Sequence, residues 1–356
     1  MALNNSSNVL ALLTPENKAS FASFAQLCAE SDNLVRLEGL ENQDLRDGLS
    51  DPPTLLRFLT ARQFDPAAAL KQFQEACQFR YDKHILRLYD LVEIADYEQS
   101  RQFYPHWTGR RDKEGLPICM FDIAHFDKEN LACWDKTRKT ASWAYSQSGK
   151  AQAPKADMWQ LASVLQDTLI RFIFPLCSVM QDRPRPLVPI TSCIGIVDGS
   201  SLGLKLGWSL RFFAQEISWL LSTCYPETIT RIFVCNAPPY FSTIWKYLKP
   251  WVDPRTAEKV VILMSADVLP TLREYIDDVN IPTAFGGSLL FKHGMRPLLD
   301  EHVCDHFNWD LPERSLPPGP IKWIKDADGN MAALAVGGEK GFQRSELIAT
   351  RSRVDN

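Results

Sequence analysis

An excess of positive charge is missing from this 356-residue chain: 39 Lys and Arg stand against 43 Asp and Glu, a net of −4. Bulk attraction to nucleic acid or to an anionic bilayer is not expected, so any anion site must be local. The nine cysteines are scattered, and none forms a C-x-x-C pair. That argues for a reduced compartment and against a disulfide framework. The first residues, Met1-Ala-Leu-Asn-Asn-Ser-Ser7, carry no basic segment, so no secretory signal is expected. No apolar run approaches the roughly 20 residues of a membrane span, so the chain is expected to be soluble and at most peripheral on membranes. A Walker loop is absent, as is a G-x-G-x-x-G after a strand, and no cofactor is expected. There is no internal repeat.

What the chain has is apolar surface, 45% of its residues, concentrated between Ser192 and Gly287. Ser192–Asp198, Arg231–Cys235 and Val260–Met264 are short apolar runs bounded by turn residues, the pattern of buried parallel strands. Leu116–Phe121 reads as a further strand, preceded by a polar loop over 105–115. Apolar helices are expected over Gly207–Thr223 and Pro239–Trp251. The first carries one polar stripe, Arg211, Gln215, Ser218 and Ser222, at helical spacing. Together they offer more apolar helix than a small sheet needs for cover, which points to a cavity for an apolar ligand. Upstream, residues 20–95 read as a helical module. Asp51-Pro-Pro-Thr54 starts one helix, with Thr54 as its cap, and Asp65-Pro66 starts another. Downstream of Gly287, Asp326–Asn330 reads as a hairpin turn, and the last dozen residues read as disordered.

Four motifs suggest chemistry. Gly199-Ser-Ser-Leu-Gly203 matches the hydrolase G-x-S-x-G, with His293, His302 or His306 as partners. No oxyanion motif precedes it, and Lys205–Gly207 reads as continued loop where a helix should begin. His302-x-Cys-x-His306 lacks a second ligand cluster. The Asp326 run lacks the glycine and glutamate of a calcium loop, so no metal is expected. Asp253-Pro-Arg-Thr-Ala-Glu-Lys259 could hold a phosphate through helix N-terminal amides, Thr256 and Lys259, or could be a simple capped connector.

Several segments occur together in one known pattern. They are Thr54–Asp65, Arg111–Pro117, Cys224-Tyr-Pro-Glu227, Val234–Lys246, Lys249–Thr256 and Ile281–Gly287. In this order they resemble the CRAL-TRIO lipid-binding family, and most of all its yeast-type phosphatidylinositol transfer proteins. The resemblance spans about residues 45–290. It implies an α/β fold: an N-terminal helical module followed by a sheet with helices on its faces, an apolar lipid pocket and a gate helix. The divisions expected are an extension over 1–45, the module over 46–95, the lipid-binding domain over 96–290 and a C-terminal extension over 291–356.

The resemblance also implies a headgroup site of Arg62, Glu216, Asp253, Thr256 and Lys259, with Arg62 and Lys259 on the phosphate. The basic residue that usually follows the module arginine is Gln63 here. A second-lipid pocket falls on Ser192, Ile194, Cys119 and Thr108. The tyrosines that would face a choline group are missing from it, so a sterol or another apolar lipid replaces phosphatidylcholine in this reading. The gate is Phe241, Ile244, Trp245 and Leu248. The function implied is binding and intermembrane transfer of phosphatidylinositol in exchange for that second lipid, with presentation to lipid kinases. The protein would be a monomer without catalysis, cytoplasmic and transiently peripheral on Golgi, ER or endosomal membranes. The alternatives are a carrier of a sterol or other hydrophobic ligand, a lipid-sensing adaptor that recruits partners through residues 291–356, and, remotely, the serine hydrolase.

Overall fold

The computed structural model describes residues 10, 13–31, 43–45, 49–138, 155–310, 315–326 and 329–351. The module comprises α1 (Pro15–Glu30), α2 (Pro52–Ala61), α3 (Pro66–Asp82), α4 (Ile85–Leu91) and α5 (Ile94–Ser100). Asp51, rather than Thr54, caps α2: its carboxylate accepts from Thr54 N at 3.2 Å, and Pro52 fills the first helical position, where no N–H is needed. Phe24 of α1 and Phe58 of α2 both meet Phe73 of α3 edge-on. The first helix therefore belongs to the module and not to a separate extension.

Strands β1 (His106–Arg111) and β2 (Pro117–Asp122) follow, then helix α6 (Lys128–Arg138) and the long helix α7 (Met158–Val179). Residues 128–156 read from sequence as a helix followed by an exposed loop; the helix is α6, and residues 139–154 lie outside the described residues. Contrary to the sequence reading, α7 is long and apolar enough to cross a membrane, but 94% of its apolar window is buried inside the fold. Pro175 lacks the N–H that would bond the Arg171 carbonyl, and the helix widens to a π turn over Leu169–Ile173. Next come β3 (Cys193–Asp198), α8 (Leu204–Ser209), α9 (Arg211–Cys224), β4 (Ile229–Cys235), α10 (Phe241–Leu248), α11 (Pro254–Glu258), β5 (Val260–Ile262) and α12 (Ser265–Tyr275).

The sheet order is β1-β2-β3-β4-β5, parallel from β2 to β5 and antiparallel at β1. β1 lies where the sequence suggested a loop. It is a polar edge strand, and backbone pairing overrides its composition. Its outer side is covered by the chain at Leu298, whose N–H reaches Thr108 O at 2.8 Å. The covering backbone comes so close that a Cβ on Gly109 would lie 2.4 Å from Leu298. Side chains alternate across the sheet. Ile118, Met120, Ile194, Ile196 and Phe233 pack with Val268 and Leu272 of α12. Cys119, Phe121, Cys193 and Val234 join the larger core with α7, Leu220 of α9 and Phe241 of α10.

The C-terminal extension is a second sheet, not a loose tail. Helix α13 (Glu301–His306) leads to β6 (Phe307–Trp309), β7 (Ile321–Lys325), β8 (Met331–Glu339) and β9 (Phe342–Arg351), in the order β6-β9-β8-β7. The hairpin at Asp326 forms as expected, its carboxylate accepting from Asn330 N at 2.7 Å. Most of the dozen terminal residues read as disordered belong to β9; residues 352–356 are outside the described set.

Two buried polar networks join these parts. Arg80 of α3 grips Asp167 of α7 through two bonds of 2.7 and 2.8 Å and donates to the Tyr225 hydroxyl at 2.7 Å. Lys322 of β7 lies 2.9 Å from both Asp44 and Asp90, while Arg171 of α7 reaches Asp44 at 2.6 Å and covers the Tyr89 ring. Burial pushes the Asp90 carboxyl up despite these cations.

The hydrolase reading loses its support here. Helix α8 does begin directly after Gly203, correcting the expected loop, but Ser201 is absent from the positive-φ residues that would mark a strained elbow. The two ring nitrogens of His293 face the carbonyls of Met120 and Gln102, at 3.3 and 3.2 Å. His302 is exposed near Asp182, and His306 packs on Phe307. Among the described residues, no three His, Cys, Asp or Glu side chains are grouped to hold a metal.

Two outcomes test this framework. Asp167→Ala strands a buried guanidinium and is expected to cost about 3–5 kcal/mol in urea unfolding. His293 lies between the tilted rings of His106 and His125, and burial holds it down to about 4. The unfolded chain then binds its proton first, so stability is complete above pH 6.5 and falls as pH drops toward 4. The loss is about 3 kcal/mol at most. Thermal melts should show the slope in wild type and a flatter profile in His293→Asn.

Candidate functional site

The chain between α3 and α2 closes on the turn after α9. Arg62 caps α2, and Gln63 and Phe64 take left-handed φ of 54° and 61°. Glu227, in the Tyr225-Pro-Glu turn, is also left-handed at 55°. Non-glycine residues in this region are strained and collect at functional sites. Between these two bends lies a cavity of about 510 Å³, mouth included, lined by Arg62, Glu227, Asp253, Arg255, Thr256 and Lys259 among others. Four of the five headgroup residues expected from sequence are thus brought together.

Glu216 is not among the lining residues. It lies on α9 close enough to Tyr104 to raise that hydroxyl, though burial does most of this. The carboxylate in the cavity is Glu227, whose Oε2 accepts from Lys259 Nζ at 2.7 Å. Its sequence signal is Cys224-Tyr-Pro-Glu227, one of the segments that carry the family likeness.

Of the two readings of Asp253–Lys259, the backbone follows the capped connector. Asp253 takes the amides of Arg255 and Thr256 itself, at 3.0 and 3.2 Å, and α11 has only five residues. An anion here must be met by side chains. Arg62 is exposed at the mouth and, among the described residues, has no side-chain partner. Arg255 is tied to Ala61 O and lies 3.8 Å from Glu227. The polar stripe of α9 faces this region: Ser218 Oγ accepts from Asp253 N at 2.6 Å, and Ser222 lines the cavity.

The gate helix α10 lies beside α8. Phe241 and Ile244 are buried, Trp245 and Leu248 pack against the same core, and the rings of Phe241 and Trp245 stack. Ile244 fits against Gly207 of α8, where a Cβ would come within 2.7 Å of its side chain. The outer surface is aromatic: Trp208, Tyr247 and Trp251 are 60%, 63% and 40% exposed. Arg211 lies over the rings of Trp208 and Phe212.

The predicted second-lipid residues are not brought together. Cys119 faces the gate side, where its thiol hydrogen-bonds to Cys193 and is pushed well up by that bond and by burial. Ile194 points the other way, because strand alternation gives the gate-side position to Cys193. Thr108 donates across β1–β2 to Ile118 O at 3.0 Å, and Ser192 is buried just before β3.

Comparison with known proteins identifies the family. The CRAL/TRIO domain matches residues 102–287 and the CRAL/TRIO N-terminal domain matches residues 20–75. The chain is 26% identical over 251 residues to the SEC14 cytosolic factor of Candida glabrata, covering 70% of this chain and 74% of that one. It is 28% identical over 263 residues to the phosphatidylinositol/phosphatidylcholine transfer protein SFH7 of Arabidopsis thaliana, covering 72% of this chain but only 44% of that longer protein. Its structure is similar to the crystal structure of Sfh5, with a TM-score of 0.50 and 12% identity over 72% of this chain and 83% of that one, a likeness of fold. Matching over more than half its length, in both the helical module and the sheet domain, the chain belongs to the CRAL/TRIO family.

Proposed function

We infer that this chain binds phosphatidylinositol and carries it between membranes in exchange for a second lipid. The observation that carries the reading is the convergence of Arg62, Thr256 and Lys259 on one cavity, in a fold whose short gate helix turns Phe241 and Ile244 into the core. Arg62 and Lys259 meet the phosphate, while Thr256 and Glu227 bond inositol hydroxyls. Binding loosens the Lys259–Glu227 pair and turns both groups to the ligand.

Two acyl chains hold roughly 30 methylenes at about 0.8 kcal/mol each, so unaided exit from a bilayer meets a barrier on the order of 20 kcal/mol. The gate lowers it by turning Phe241 and Ile244 outward only against the membrane. Trp208, Tyr247 and Trp251 suit the interface, where amphipathic rings settle, and Arg211, Lys246 and Lys249 face lipid phosphates.

The gate-side floor offers the thiols of Cys119 and Cys193, with no tyrosine at Cys119, which favours a sterol or similar apolar lipid as the second cargo. The chain acts as a cytoplasmic monomer without catalysis, transiently peripheral on internal membranes, and presents phosphatidylinositol to lipid kinases. The C-terminal sheet is locked to α4 and α7, which favours a carrier over an adaptor with a free recruiting arm.

Incubation with mixed vesicles and mass spectrometry of the bound lipids tests the reading. Lys259→Ala should lose phosphatidylinositol by about tenfold or more and keep the second lipid. Wild type carrying no phosphatidylinositol would end the inference. Tyr247→Ala with Trp251→Ala should slow transfer between vesicles on the order of tenfold, with melting temperature unchanged.

A further inference from the structure

The headgroup cavity has a neighbour. Glu227, Arg255 and Lys259 form a wall shared with a second, more open recess of about 1160 Å³, mouth included. Arg231 lines the recess from β4, with Gln63 and Tyr275 around it and Glu258 on its exposed rim. The Arg231 guanidinium lies 4.1 Å from the centre of the Tyr275 ring and 5.8 Å from that of Phe233. Stacking on aromatic faces fixes its plane and leaves its N–H fork unspent. Among the described residues, no carboxylate or carbonyl takes that fork. This differs from Lys259 and Arg255, which already engage Glu227 or a backbone carbonyl.

The two cations are placed by the sheet. Ile232 pairs with Val260, and Ile232 N donates to Lys259 O at 2.9 Å. Arg231 and Lys259 therefore leave neighbouring parallel strands side by side, with backbones roughly 5 Å apart. A trough results, with Arg62 and Lys259 at one end and the free fork of Arg231 at the other. Glu227 is neutralised by Lys259 between them. A planar fork of this kind suits a phosphate monoester, which offers two or three acceptor oxygens, better than it suits a hydroxyl.

We propose that this recess is a second phosphate subsite, so that the chain also accepts phosphatidylinositol carrying a monophosphate across the ring from its phosphodiester. The proposal rests on the headgroup reading above: the ring bridges the shared wall, with its diester at Lys259 and its monoester at Arg231. The site would then hold the phosphorylated lipid as well as its precursor.

The full chain is incubated with phosphatidylcholine vesicles containing either phosphatidylinositol or its 4-phosphate, and extracted lipid is measured. Wild type should take both. Arg231→Ala should lose the 4-phosphate by about tenfold or more while phosphatidylinositol stays within about twofold, and Lys259→Ala should lower both. Arg231→Lys keeps the charge but not the fork, and should give an intermediate loss at unchanged melting temperature. Extraction of phosphatidylinositol alone by wild type, or an equal loss of both lipids in the two Arg231 variants, would overturn the subsite and leave the headgroup reading standing. Extraction of neither lipid removes both. Soluble inositol 1,4-bisphosphate should compete with the 4-phosphate lipid, and inorganic phosphate at the same concentration should not. Equal, Arg231-dependent competition by inorganic phosphate would make the recess a free-phosphate site and overturn the lipid assignment.

Discussion

The bond that the rest of the molecule leans on is the buried pair of Arg80 and Asp167. It joins the helical module to the longest core helix, and Tyr225 completes it from the turn after α9. With its hydroxyl held there, the backbone that follows bends at once through Pro226 and the left-handed Glu227. That bend sets the carboxylate against Lys259. On the opposite side, the end of α2 presents Arg62. A charge pair deep in the interior thus fixes the spacing of groups at the surface that would hold an anion. Such pairs contribute little net stability against an apolar alternative, but they specify one geometry, because any other leaves a charge unmatched.

The gate side follows a different rule. Helices α8 and α10 meet through apolar side chains, with Ile244 set against Gly207. Contacts of this kind have no required partner, so they can be exchanged for lipid contacts at small net cost. The molecule therefore separates a polar anchor, which resists rearrangement, from an apolar flank that permits it.

Much of this was legible in the sequence. The apolar runs at Ser192–Asp198 and Arg231–Cys235 gave their strands because burial on both faces demands uninterrupted hydrophobic residues. Asp51-Pro and Asp65-Pro gave their helix starts through cap chemistry. Arg62, Asp253, Thr256 and Lys259 were found by likeness, and they share one cavity. The misses have physical causes. β1 is polar because one side is an edge, closed by a distant segment at Leu298 that no local pattern announces. Likeness puts Ile194 in the pocket, but β3 turns it to the α12 face, and a register shift falls between Cys193 and Ile194. Glu227 was hidden because its role depends on a left-handed bend that a glutamate rarely adopts. The end of β9 reads as tail because most of the strand's side chains are polar and exposed, and its order comes from backbone pairing with β8 and β6.

The second buried network has a consequence for how the protein is made. Arg171 of α7 and Lys322 of β7 share Asp44, and Asp90 completes the set. During synthesis α7 emerges well before β7. At roughly 5–20 residues per second, the intervening stretch takes on the order of ten to thirty seconds to appear. For that interval Asp90 lacks its lysine, and the module cannot be sealed on this side. A ribosome that stops short of β7 would release a chain with a lipid-binding sheet but with two carboxylates and an arginine in an unfinished interior, a ready target for chaperones and proteases. The interior on this side is thus complete only once the C-terminal sheet is in place.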